Sequence, residues 1–186
     1  MALFLALLAL PLTLAVPAPA GASAGDPEPW VLVDTRAHTL AVIQDGRPRR
    51  VFRNIALGRG GVARLRRRGD GATPLGEYHI AWINRNSRFH IFLGLDYPNA
   101  GLAREALAQG LIDRPTYEAI RHALAAGRVP PQGTALGGYL GIHGLGRGDP
   151  LVHARFNWTQ GCIALTNEEI EELARWVRVG TRVLIR

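Results

Sequence analysis

The sequence predicts a mainly β fold with helices, and three observations carry that expectation. Short β-branched and aromatic runs, each bounded by turn residues, recur from Trp30 to Leu95. Between Leu102 and Arg128 the apolar spacing changes to that of helices. A helix with a complete start signal at Thr166 then leads into a last strand, Thr181 to Ile185. The chain has 186 residues, 47% hydrophobic and 20% charged, which is enough apolar material for a core and excludes a disordered polymer.

The elements follow in order. Trp30 to Val33 and Thr39 to Ile43 are strand runs separated by the polar turn Asp34 to His38. Asp45-Gly46 marks a hairpin before a run from Val51 to Leu57. In the segment Thr73 to Ile83, Tyr78, Ile80 and Trp82 alternate with His79, Ala81 and Ile83, the period of a strand. Arg88 to Leu95 reads as the next strand. Leu102 to Ala108 and Pro115 to Ala126 read as two short helices, stopped by Gly110 and Gly127, with Tyr117, Ile120 and Leu124 as one apolar stripe. This pair forms a helical insertion over residues 102–132. Tyr139 to His143 is a further strand. At the last helix Thr166 and Glu169 make a capping box and Leu165 and Ile170 a staple, while Ile170, Leu173 and Val177 face inward.

The amino terminus predicts export. Ala2 to Val16 is apolar apart from Pro11 and Thr13, too short to span a bilayer comfortably. Small residues follow, with cleavage points after Ala20 or Ala24, so residues 1–24 read as a signal peptide and 26–186 as one domain. No basic residue precedes the apolar run, and an uncleaved anchor is the competing use of the segment. The expected location is the periplasm or cell envelope, with no stable membrane anchor after cleavage.

All 22 basic residues are Arg, against 15 acidic ones, for a formal net charge of +7. Such a surface favours acidic partners. The densest cluster, Arg64, Arg66, Arg67 and Arg68, sits among glycines and reads as a mobile, solvated loop. It lacks the interleaved aromatics or recognition helix of a nucleic-acid module, so no nucleic-acid partner is expected.

Cys162 is the one cysteine, which excludes an intrachain disulfide. An unpaired thiol in an oxidising compartment is exposed to oxidation and wrong pairing, so its presence suggests use. A nucleophilic thiol needs a base or cationic neighbour. His143 ends a strand, is followed by Gly144-Leu145-Gly146, and precedes Cys162 by 19 positions. His38 and His122 read as solvated, His79 and His90 as strand residues, and His153 as part of a connecting segment. His143, His153 and Cys162 lack the tight pairs that anchor zinc, so no metal is expected.

Ile142-His143-Gly144 followed by Thr159-Gln160-Gly161-Cys162-Ile163 resembles the active-site signature of the L,D-transpeptidase catalytic domain, a family of bacterial cell-wall enzymes. Thr73-Pro74-Leu75-Gly76-Glu77-Tyr78 is similar to the family's second hallmark. The resemblance runs from about Trp30 to Arg186 and is weakest over Leu102 to Gln132. It implies a mixed β-sandwich with Cys162 as nucleophile, His143 as general base and the Gly144 carbonyl orienting the imidazole. It implies acyl transfer on peptidoglycan stem peptides through a thioester, without a cofactor. Gly161, Thr159, Arg88, His90 and Arg155 are the candidate substrate-binding residues. Many members carry Arg two positions after the nucleophile; Ala164 stands there in this chain, so another Arg must take its role, with Arg88 and Arg155 the candidates.

Ser87-Arg88-Phe89-His90 and Asp96 to Ala100 look similar to a branch that also holds a hydrolase detaching a lipoprotein from peptidoglycan. A cell-wall-linked lipoprotein is therefore a second expected partner, and hydrolysis, as an L,D-carboxypeptidase or cross-link hydrolase, the alternative reaction. A catalytically silent peptidoglycan-binding domain is the reading from another class.

Overall fold

A computed structural model describes residues 28–186. The expected signal peptide and its cleavage points lie outside the described residues.

An antiparallel meander opens the chain: β1 (Trp30–Asp34), β2 (Thr39–Gln44) and β3 (Arg47–Arg53). Asp45 and Gly46 both take positive φ, 52° and 70°, the geometry that a two-residue hairpin requires. Strand β3 starts earlier than its hydrophobic pattern predicted. It is an end strand of the sheet, so the exposed Arg47, Arg49 and Arg50 and the amide-less Pro48 are tolerated there.

Short strands β4 (Val62–Ala63) and β5 (Thr73–Pro74) bracket the arginine loop. Asp70 holds this loop closed by accepting from the backbone N–H groups of Arg67 at 2.6 Å and Ala72 at 2.9 Å. The expectation of a wholly solvated cluster is corrected here: Arg66 is only 5% exposed, whereas Arg64, Arg67 and Arg68 face solvent.

The longest strand, β6 (Gly76–Ser87), serves two neighbours. Its first residues pair with β10 (Arg182–Ile185), and its remainder pairs with β7 (His90–Leu95). Strands β8 (Gly141–His143) and β9 (Ile163–Ala164) complete a mixed eight-stranded sheet ordered β3-β2-β1-β10-β6-β7-β8-β9. Its two ends then meet. Beyond β3, Ala56 exchanges both backbone hydrogen bonds with Ala164 of β9, at 3.1 and 2.8 Å. The fold is the expected mixed β arrangement, wrapped around a core that includes Val31, Leu40, Phe52, Tyr78, Leu93 and Ile142.

Helices α1 (Ala100–Ala108) and α2 (Arg114–Ala125) pack on each other within the expected insertion. Their N-caps are Asn99 and Asp113, and Pro115 sits in the first turn of α2, where a missing N–H costs nothing. Ile120 is fully buried, with Tyr117 and Leu124 packed beside it. A third helix, α3 (Pro150–Arg155), occupies the segment read as a connection. Its signals, Asp149 as N-cap and Pro150 behind it, were present, but six residues are too few for an apolar period to show. Helix α4 (Asn167–Trp176) carries the Thr166–Glu169 capping box with both reciprocal bonds formed. It stops at Trp176, and Gly180, at φ 92°, turns the chain toward β10.

Candidate active site

The hallmark around Thr73 shapes the scaffold behind the site. Thr73 is fully buried, and its hydroxyl accepts from Gly58 N at 2.8 Å. The Tyr78 hydroxyl bonds the Leu75 carbonyl at 3.1 Å, and its ring lies 5.9 Å from that of Tyr97. Burial pushes both phenols well above their ordinary range, so they act as neutral struts.

His143 ends β8, next to β9 in parallel register. It is 1% exposed, and its Nδ1 lies 2.7 Å from the Gly144 carbonyl. A carbonyl only accepts, so Nδ1 carries the proton and Nε2 is left as the bare lone pair. Aromatic rings enclose the imidazole: Phe89 stacks at 4.2 Å, Phe92 at 5.9 Å, and Trp158 meets it edge-on at 5.7 Å. Burial pushes its pKa down to about 4, and the charges of His153 and Arg88 act in the same direction against the Gly144 carbonyl.

The loop after His143 is tied to the first turn of α4. The Asn167 side chain accepts from Gly146 N at 2.8 Å and donates to Gly146 O at 2.9 Å. Gly144 fits because it has no side chain. A Cβ there would stand 2.8 Å from Asn167 Oδ1, Ile170 Cγ2 and the Phe89 carbonyl.

Cys162 sits at the end of a tight turn that Thr159 closes. The Thr159 hydroxyl donates to the Cys162 carbonyl at 2.7 Å and accepts from Gly161 N at 3.1 Å. Gly161 takes φ 118°, a conformation that favours glycine. The thiol is half-buried and donates to the Tyr139 carbonyl at 3.5 Å. Burial pushes it up to about 11, while the Gly141 backbone and the Arg66 charge pull it down. The thiol and the imidazole are therefore both neutral at neutral pH.

One cleft of about 670 Å³ joins these groups. Cys162 and His143 line it, with Trp82, Asn84, Ser87, Arg88, Phe89, Phe92, Tyr139, Leu140 and Trp158 among its walls. Arg88 and Phe89 reach it because they are the two residues of the β6–β7 hairpin turn, where Ser87 pairs with His90.

A family model for the L,D-transpeptidase catalytic domain, YkuD, matches residues 28–185. The chain belongs to this family. L,D-transpeptidases of this family modify peptidoglycan and act on its stem peptides. No curated protein matches the sequence. Among solved structures it is similar to the helical cell shape determining protein Pgp2 from Campylobacter jejuni, at 23% identity, covering 87% of this chain and 49% of that one, with TM-score 0.55. It is also similar to Bd1075 from Bdellovibrio bacteriovorus, at 18% identity over 86% of this chain and 48% of that one, with TM-score 0.54. These likenesses concern the fold, and the chain spans about half the length of those structures.

The L,D-transpeptidase cleft gathers some of the residues read from sequence and leaves others outside. Cys162, His143, Thr159 and Arg88 line it. His90 instead pairs with Glu171 of α4 at 2.6 Å, and Arg155 lines a separate cavity beside His38 and Asn157. Thr159 uses its hydroxyl inside the turn rather than toward a ligand. The aromatic walls Trp82, Phe92, Trp158 and Tyr139 were missed. Tyr139 carried no local signal, yet it is 70% exposed at φ 53°, and its carbonyl accepts from the thiol.

Proposed function

We propose that the protein is an exported L,D-transpeptidase that cross-links or decorates peptidoglycan through a thioester on Cys162. The observation that carries this reading is the shared cleft, in which the thiol and an imidazole with a bare Nε2 face the same space. Nε2 of His143 takes the thiol proton as Sγ attacks the carbonyl of an L-to-D amide in a stem peptide. A tetrahedral intermediate forms and collapses, and the amine of D-Ala leaves with the proton that His143 returns. The Cys162 backbone N–H, at the turn into β9, is positioned to meet the developing oxyanion. An acceptor amine from a second stem then loses its proton to His143 and attacks the thioester, which restores the thiol.

Because both partners are neutral at rest, the thiolate forms only as proton transfer and attack proceed together, inside a cleft that substrate closes to water. Arg88 is the one charged residue on the wall, and no carboxylate opposes it among the described lining residues. This suits a substrate rich in carboxylates.

The test is mass spectrometry of muropeptides after incubation with the protein and with Cys162→Ala. Cross-linked dimers made only by the unsubstituted protein support transfer. Trimmed or separated monomers instead assign the same site to hydrolysis, and the absence of any product overturns the enzymatic reading.

A further inference from the structure

Arg66 is the buried charge that the mechanism above does not use. Its Nε and Nη1 are buried without a hydrogen-bond partner, and its nearest carboxylate, Asp70, stands 3.5 Å away with both oxygens already accepting backbone N–H groups. A buried guanidinium left this short of partners is costly unless something else answers it. The guanidinium is wedged against the nucleophile turn: a Cβ on Gly161 would lie 2.5 Å from Nη1, and one on Gly137 would lie 3.5 Å from Nη2.

Arg66 also lines a second cavity of about 360 Å³, with Arg68, Gln132, Gly137, Tyr139 and Gln160. Gly138, Tyr139 and Gln160 belong to this cavity and to the Cys162 cleft alike, so the two spaces meet at the exposed Tyr139 ring. Arg68, exposed at this cavity, spends its Nε on the Thr134 carbonyl at 2.9 Å. No acidic residue lines either space among the described residues.

We propose that the cavity of Arg66 and Arg68 is a carboxylate subsite, which holds a free carboxylate of the acyl chain while Cys162 attacks the carbonyl beyond Tyr139. This rests on the reading of Cys162 as the acylated residue and adds what the acyl donor must carry. Paired guanidinium donors suit a planar carboxylate better than a point charge does.

The probe is the rate at which the full chain's single thiol reacts with 3-maleimidopropionate and with its neutral carboxamide. Addition to the maleimide needs the thiol and its proton acceptor but no thioester, so the result stands whether or not a thioester ever forms on stem peptide. The acid is expected to react about tenfold faster than the amide at low salt. That preference collapses toward parity in Arg66→Met, is largely retained in Arg66→Lys, falls severalfold in Arg68→Gln and is unmoved in Arg121→Gln, outside both cavities. Parity in the unsubstituted protein overturns the subsite. So does a preference that survives Arg66→Met, or a parallel slowing of both reagents, which would make Arg66 a support for the sulfur alone. Should Arg66→Met fail to fold, the exposed Arg68→Gln decides, and an unchanged preference there is equally fatal.

Discussion

The Thr159 hydroxyl donates to the Cys162 carbonyl at 2.7 Å while accepting from Gly161 N at 3.1 Å, so one oxygen closes the turn that presents the thiol. The residue is 4% exposed, and its own backbone bonds the segment after β3 through Leu57 and Arg59. Thr159→Val keeps the volume and strands a part-buried carbonyl and a buried N–H. It is expected to cost about 1–3 kcal/mol and to slow acylation of Cys162. Thr159→Ser keeps both bonds and most of the activity. Urea denaturation and the rate of maleimide addition read the two effects.

The pH dependence follows from two displaced groups. His143 titrates near 4 in the folded protein against 6.5 for a free imidazole. Between those values the unfolded chain binds a proton that the folded chain does not. Stability therefore rises from pH 4 to 6.5, by up to about 3 kcal/mol from this group. Cys162 keeps its proton to about 11 against 9.0 when free, so stability declines from pH 9 to 11. Denaturation of the protein and of His143→Gln across pH 4 to 7 isolates the first contribution: the variant is expected to lose that part of the slope.

Phe89 covers the imidazole at 4.2 Å, and burial is the chief reason that His143 is so weakly basic. Phe89→Ala admits water to that face and is expected to move the His143 pKa up toward 6.5. The acid limb of the acylation rate should move with it. Imidazole resonances followed by NMR titration give the shift directly, and an unmoved pKa refutes the role given to the ring.

Asn167 bridges both backbone groups of Gly146 and thereby joins the loop after His143 to α4. Asn167→Ala removes two bonds and is expected to cost about 1–2 kcal/mol. Loss of the brace also lets the Gly144 carbonyl drift, so product formation should fall about tenfold, and maleimide addition, which uses the same proton acceptor, should slow with it. Unchanged rates in both assays refute the brace.

Much of the strand and helix order was readable from the chain because those signals are local. A hairpin needs only Asp45-Gly46, α4 needs only Thr166 and Glu169, and α2 needs only its period and Pro115. Cys162 and His143 could be singled out because the motifs around them, Ile142-His143-Gly144 and Thr159 to Ile163, are contiguous in the chain, and the two side chains line one cleft. Helix α3 and the start of β3 escaped because one is too short for a period and the other is an edge strand that tolerates charge.

The surroundings of the site had to wait for tertiary structure. Nothing in the run Arg64 to Arg68 distinguishes Arg66 from its neighbours, yet packing against Gly137 and Gly161, more than seventy positions away, buries that guanidinium and leaves the others in water. The same holds for the low basicity of His143, which comes from Phe89, Phe92 and Trp158, delivered by a hairpin, a strand and a loop. Residue identity and short-range spacing determine backbone geometry and which chemistry is available. Desolvation and charge compensation depend on neighbours distant in sequence, so only the closed fold decides how each group behaves.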